Sequence, residues 1–354
     1  MSALFEPLQI RQVEFRNRAW MSPMCQYSAV DGIPTDWHLV HLGARASGGV
    51  GLAMVEATAV TPEGRISPFD TGIWSDAHRD AFQRIAAFVT SQGAVPGMQI
   101  AHAGRKASTN RPWSGSKPVA PEDGGWLPVG PAPMAYTEGY PTPRSLSTSE
   151  VRATIDAFAA GARRAVDAGF RVVELHAAHG YLVHEFLSPL TNDRTDEFGD
   201  SLDNRLRLAV EAATAVRAEI GNDIPLFVRV SADEYVEGGW DLEQTVELAR
   251  RLKAVGVDLI DASSGGNLPH QRLKFYPGYQ VPFARAIRER AAIATAAVGL
   301  ITEPAHAEGI IATGDADAVL LGRELLRNPY WTLEAARALG ADLEWQPQYA
   351  RAKR

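Results

Sequence analysis

Short apolar runs recur along the chain at 19–21, 51–57, 95–100, 172–176, 226–230, 258–262, 293–298 and 318–321. They are near-continuous rather than alternating, which is the pattern of strands buried on both faces in a parallel sheet. Between them, apolar positions return at helical spacing, as in 76–89, 149–167, 242–254 and 304–312. Ser149 and the Thr302-Glu303-Pro304 run read as helix starts, and Gly169 and Gly256 as stops. Eight strand–helix units predict an α/β chain closed into a single (β/α)8 TIM barrel over 1–354. Ahead of them, residues 5–15 alternate apolar and polar around Pro7 and predict a hairpin that plugs one end. One stretch breaks the rhythm. From 102 to 148, Pro, Gly and Trp accumulate without period directly after the third strand, predicting a loop that caps a substrate. The tail, 341–354, has no core-forming period either.

Composition narrows the partners. A net charge of −7 and a pI near 5.8 offer no basic face for nucleic acid or an acidic membrane, so small molecules are expected instead. A lone cysteine, Cys25, excludes an intramolecular disulfide and a cysteine-held iron–sulfur cluster. The first residues carry no basic-then-apolar leader, and no run is long enough to span a bilayer, so a cytoplasmic location is expected. No G-x-G-x-x-G, P-loop, G-x-S-x-G or H-E-x-x-H is present.

The fourth strand runs straight into His176-Ala177-Ala178-His179-Gly180-Tyr181. Strand ends are where α/β folds gather their chemistry, so two imidazoles and a phenol there suggest a site. Three readings remain open. The histidines are structural; or they hold a metal, for which Glu185 is the nearest carboxylate and a third ligand is needed; or they donate neutral N–H groups to a substrate carbonyl while Tyr181 supplies a proton. The other strand ends add Ser22 to Tyr27, Ala57, Gln99, Arg229, Ser263 to Gly266, Gly299 and the Gly322-Arg323 pair. Glycines and an arginine after the last strands suit a phosphate. An inward Arg229 needs an anionic partner, and Gln99 suits the edge of a heterocycle.

Several ordered stretches, Ser22-Pro23-Met24-Cys25, Asp36-Trp37-His38, residues 55–60, residues 99–106, the His176/His179/Tyr181 run and Asn204-Arg205, together resemble the Old Yellow Enzyme family. More closely, the chain resembles its bacterial ene-reductase and xenobiotic reductase branch. That resemblance implies FMN held by Ser22, Pro23, Met24, Cys25, Ala57, Gln99, Arg229, Gly299, Gly322 and Arg323. It implies substrate binding by Tyr27, His176 and His179, with Tyr181 as proton donor. It further implies reduction of the C=C bond of α,β-unsaturated carbonyl compounds by ping-pong hydride transfer, with NADPH or NADH as donor in the same pocket. A homodimer or homotetramer is implied in which Arg351 enters a neighbour's site.

Two stretches depart from the pattern. Asp196-Glu197-Phe198-Gly199-Asp200 replaces a Tyr-Gly-Gly ending, and Val298 stands before Gly299 where relatives can carry tryptophan, which predicts a larger pocket. The rival readings are a metal-dependent barrel hydrolase and a flavin-binding protein without catalysis.

Overall fold

A computed structural model describes residues 2–353. Its strands in chain order are β1 (Leu8–Ile10), β2 (Val13–Phe15), β3 (Ala19–Met21), β4 (Leu52–Ala59), β5 (Val95–Ala101), β6 (Val129–Gly130), β7 (Arg144–Ser145), β8 (Val172–Ala177), β9 (Leu226–Ser231), β10 (Leu259–Ser263), β11 (Ala294–Ala297) and β12 (Ala318–Leu321). Strands β3, β4, β5, β8, β9, β10, β11 and β12 are all parallel and close on themselves, giving the expected (β/α)8 barrel. Nearly every residue of these strands is buried, because helices cover the outer face and side chains fill the inner one.

The antiparallel pair β1–β2 makes the predicted N-terminal hairpin. Phe15 and Trp20 approach to 4.6 Å, and Trp20 stacks on Phe227 at 5.7 Å. With Val13, Leu52, Val172, Leu259 and Leu320 they form an apolar floor inside the barrel. The hairpin therefore seals the N-terminal end of the strands.

The 102–148 segment carries no long element, only single turns at Gly104–Lys106, Pro112–Ser114 and Pro121–Asp123 and the two-residue β6–β7 ladder. The helix after it begins earlier than expected. Thr148–Asp167 is capped by Ser147, whose hydroxyl accepts from Glu150 N while the Glu150 carboxylate accepts from Ser147 N, displacing the predicted start at Ser149. The Asp196–Asp200 departure is structural. Asp196 accepts from Thr148 Oγ1 at 2.7 Å and Arg194 Nε at 2.9 Å, while Phe198 is fully buried against Phe186. Among the described residues no helix is long and apolar enough to cross a membrane.

Candidate active site

Strand registry gathers the polar groups inside the barrel. Gln99 lies opposite Glu174, His176 opposite Arg229, and Arg229 opposite Asp261. Glu174 and His176, two residues apart on one strand, share the inward face. Gln99 Nε2 donates to Glu174 Oε1 at 2.8 Å, and Arg229 Nε lies 3.1 Å from Asp261 Oδ2. The anionic partner expected for an inward Arg229 is thus supplied by the chain itself, from β10. Burial, joined by the neighbouring Asp261, pushes the Glu174 carboxyl above its usual range, and burial raises Asp261 against the pull of Arg229. Neither carboxylate was singled out from sequence.

Above this layer the chain leaves β8 in a strained turn. His179 adopts a left-handed backbone at φ 59°, and Gly180 follows at φ 72°, where a Cβ would meet Asn267 Cα and Gly266 O at 2.6 Å. Buried His184 holds the turn by accepting from Gly180 N at 3.0 Å. The three predicted side chains do converge: the His176 ring lies 5.1 Å from that of His179 and 4.8 Å from that of Tyr181.

His176 Nδ1 accepts from Ala178 N at 3.2 Å, so in the neutral ring the proton sits on Nε2. His179 is anchored by Ser263 Oγ, 2.7 Å from its Nε2. Burial, reinforced by Arg229, depresses both histidines well below their ordinary range. They are uncharged N–H groups at neutral pH. Burial likewise raises Tyr181 well above its ordinary value, so it keeps its phenolic proton. Glu185 turns away from the pair, Oε1 accepting from Arg105 N at 2.9 Å. Among the described residues, no group of three or more His, Cys, Asp or Glu is placed to hold a metal ion.

Two flanks complete the site. On one, Cys25, Tyr27 and Tyr181 pack with Ala57, Ala101, Ala103 and Trp126. Burial, then Asp70 and Glu56, push the Cys25 thiol up, so it stays protonated. Burial pushes the Tyr27 phenol up as well. The turn carrying them is held by Glu56, which accepts from Gln26 N at 2.6 Å and pairs with His38 at 3.0 Å. On the other flank, Arg229, Ser263, Val298, Gly299, Gly322 and Arg323 line a cavity of about 210 Å³. No side chain closes over Gly322, where an added Cβ would touch only Met24 Sδ at 3.8 Å.

The 102–148 segment reaches the mouth at several points. Trp113 meets Tyr27 edge-on at 5.9 Å, and Tyr136 lies 4.6 Å from Lys106 Nζ. Lys106, which the sequence reading gave no role of its own, donates to His179 O and Gly266 O, both at 2.9 Å, and burial beside Arg105 lowers it to about 8. Arg351 is not brought to this site. It lies exposed on a tail whose Gln346 donates to Gln92 O, next to the start of β5 at the opposite rim.

The family described as NADH:flavin oxidoreductase / NADH oxidase matches residues 3–341. The chain belongs to that family. It is 48% identical over 350 residues to an NADPH dehydrogenase of Geobacillus sp. (strain WCH70), covering 98% of each chain. It is 47% identical over 351 residues to an NADPH dehydrogenase of Halalkalibacterium halodurans, covering 99% of this chain and 98% of the other. Among solved structures, morphinone reductase superposes with a TM-score of 0.78 at 27% identity, over 98% of this chain and 92% of that one. A 2-naphthoyl-CoA reductase complex gives 0.85 at 26%, over 96% of this chain and 52% of that one. This flavin oxidoreductase is thus an Old Yellow Enzyme relative, of a family that binds FMN.

The residues fit that group. Arg229 Nε and both Asp261 oxygens are buried without an aligned hydrogen bond, so the polar layer of the barrel interior keeps capacity for a heterocycle beside it. The uncovered Gly322 backbone beside Arg323, with Gly299 in the same lining, suits a phosphate.

Proposed function

We propose that this oxidoreductase reduces the C=C bond of α,β-unsaturated carbonyl compounds with NADPH, or NADH, in a ping-pong cycle. The observation that carries this is the convergence of a second neutral histidine and a protonated tyrosine on His176, their rings 5.1 and 4.8 Å from its own. FMN, when bound and reduced, supplies the hydride. His176 and His179 hold the substrate carbonyl oxygen and stabilise the charge that develops on it, which makes the β-carbon electrophilic. Tyr181 delivers the proton to the α-carbon. Tyr27 flanks the substrate, and Ser22, Pro23, Met24, Cys25, Ala57, Gln99, Arg229, Gly299, Gly322 and Arg323 hold the cofactor. The 102–148 segment caps the seat with Trp113 and Trp126, excluding water.

Steady-state plots at several fixed enone concentrations are expected to be parallel. Intersecting lines would replace the ping-pong cycle with a ternary complex, and a bound flavin that NADPH does not reduce or no enone reoxidises would favour a flavin-binding protein without catalysis. Tyr181→Phe is expected to slow flavin reoxidation by enone about a hundredfold or more and to leave reduction by nicotinamide nearly unchanged, because only the former needs a proton at carbon. Equal slowing of both halves would make Tyr181 a wall of the pocket.

The tail is proposed to act in a symmetric assembly, a homodimer or homotetramer. Its own anchor beside Gln92 directs Arg351 away from its own mouth, which supports a role at a neighbour's site. Arg351→Ala is expected to raise the KM for enone several-fold and leave FMN content intact. A monomer by sedimentation with wild-type KM would remove the tail from the reaction.

A further inference from the structure

A dinucleotide whose nicotinamide enters the seat beside His176 must leave its adenosine half outside, and no Gly-rich dinucleotide fold exists to receive it. Whatever holds that half has to form the rim. The segment after β10 is placed for this. It starts against the histidine turn, where a Cβ on Gly266 would lie 2.6 Å from His179 Cα, and Gly266 N is tied to Gln271 Oε1 at 2.6 Å. It ends at the anion cavity, where Gly278 N donates to Gly299 O at 2.8 Å and Tyr279 joins the lining.

Its chemistry is one-sided. Residues 264–281 include His270, Arg272 and Lys274 and no acidic residue, in a chain of net charge −7. Most arginines of this protein sit in ion pairs, whereas among the described residues no carboxylate lies within ion-pair distance of Arg272 or Lys274, and both are exposed. Beside them, Phe275 is 65% and Tyr276 52% exposed, each edge-on to Tyr279 at 5.4 and 6.3 Å. Two large exposed aromatics beside cations without a carboxylate form a surface complementary to a ligand that is both flat and anionic.

We propose that residues 269–276 recognise the nucleotide half of NADPH, Arg272 and Lys274 pairing with the 2′-phosphate and Phe275 offering its face to the adenine. This rests on the reading that a nicotinamide nucleotide reduces the flavin. The 2′-phosphate is the one group that separates NADPH from NADH, and it carries close to two charges. Cations that meet it set the preference between the two donors, while an aromatic under the adenine serves both alike.

The test is stopped-flow reduction of the FMN-loaded enzyme by NADPH and by NADH. The native protein is expected to favour NADPH, less so as ionic strength rises. In Arg272→Glu/Lys274→Glu, reduction efficiency with NADPH is expected to fall about tenfold or more while NADH changes by less than about twofold. Phe275→Ser is expected to weaken both donors by a similar factor. A native enzyme without preference, or charge reversal that lowers both donors together or neither, overturns the proposal. Reoxidation of dithionite-reduced enzyme by enone, measured on the same variants, uses no nicotinamide. Its failure in the native protein therefore bears on the alkene reading alone.

Discussion

A chain carrying His176→Ala together with His179→Ala is expected to remain yellow with bound FMN and to reduce enones roughly 10³–10⁴-fold more slowly. A donor aimed at a developing oxyanion is worth on the order of 2–4 kcal/mol. In the proposed role the two serve one oxygen, so the pair would fall short of the sum. The single variants should each lose about a hundredfold or more, and His179→Asn, which returns an N–H donor, should recover part of the loss. Neutrality is central to this magnitude. Burial and Arg229 keep both rings uncharged, so neither can protonate the substrate in place of Tyr181. Native turnover in the double variant would make the histidines structural supports of the turn.

The second large effect is on stability. Arg229→Met leaves Asp261 and Glu174 in the barrel interior without their cation, and breaking a buried pair from one side costs about 3–5 kcal/mol. The loss should depend on pH in a definite direction. Without Arg229, the folded-state pKa of Asp261 rises further above its unfolded value. The variant then loses stability relative to the native chain as pH climbs above about 6, where the native Asp261 ionises beside Arg229 and that of the variant still holds its proton. Near pH 5 the carboxyl takes a proton and the deficit shrinks. Denaturant midpoints of the FMN-free proteins at pH 5 and 7.5 measure it. Adding Asp261→Asn should restore part of the midpoint at pH 7.5. A midpoint for Arg229→Met equal to the native one at both pH values would show that the pair carries no stability.

The barrel was legible because its strands are apolar at most positions on both faces, and the predicted runs 19–21 and 318–321 coincide with β3 and β12. The histidine turn was legible for a local reason: His176, His179 and Tyr181 lie within six consecutive residues. Asp261 and Glu174 were not, because what makes them functional is strand registry. Arg229 and Asp261 are 32 positions apart and become neighbours only through the β9–β10 ladder. Lys106 was hidden similarly, its partners being the backbone oxygens of His179 and Gly266. The misplaced helix start was avoidable. Three hydroxyl residues in a row precede Glu150, and only Ser147 stands three positions before it, as a capping box requires.

The aromatic floor of Phe15, Trp20 and Phe227 has a consequence for traffic. A barrel stoppered below has a single doorway, so anything seated beside the histidines has to back out along the path by which it entered. Under the proposed cycle, two visitors of different size would then queue for one chair, and the slower to leave would set the pace for both. Widening the interior would not relieve that queue, because the congestion lies at the threshold, where Trp113 leans on Tyr27.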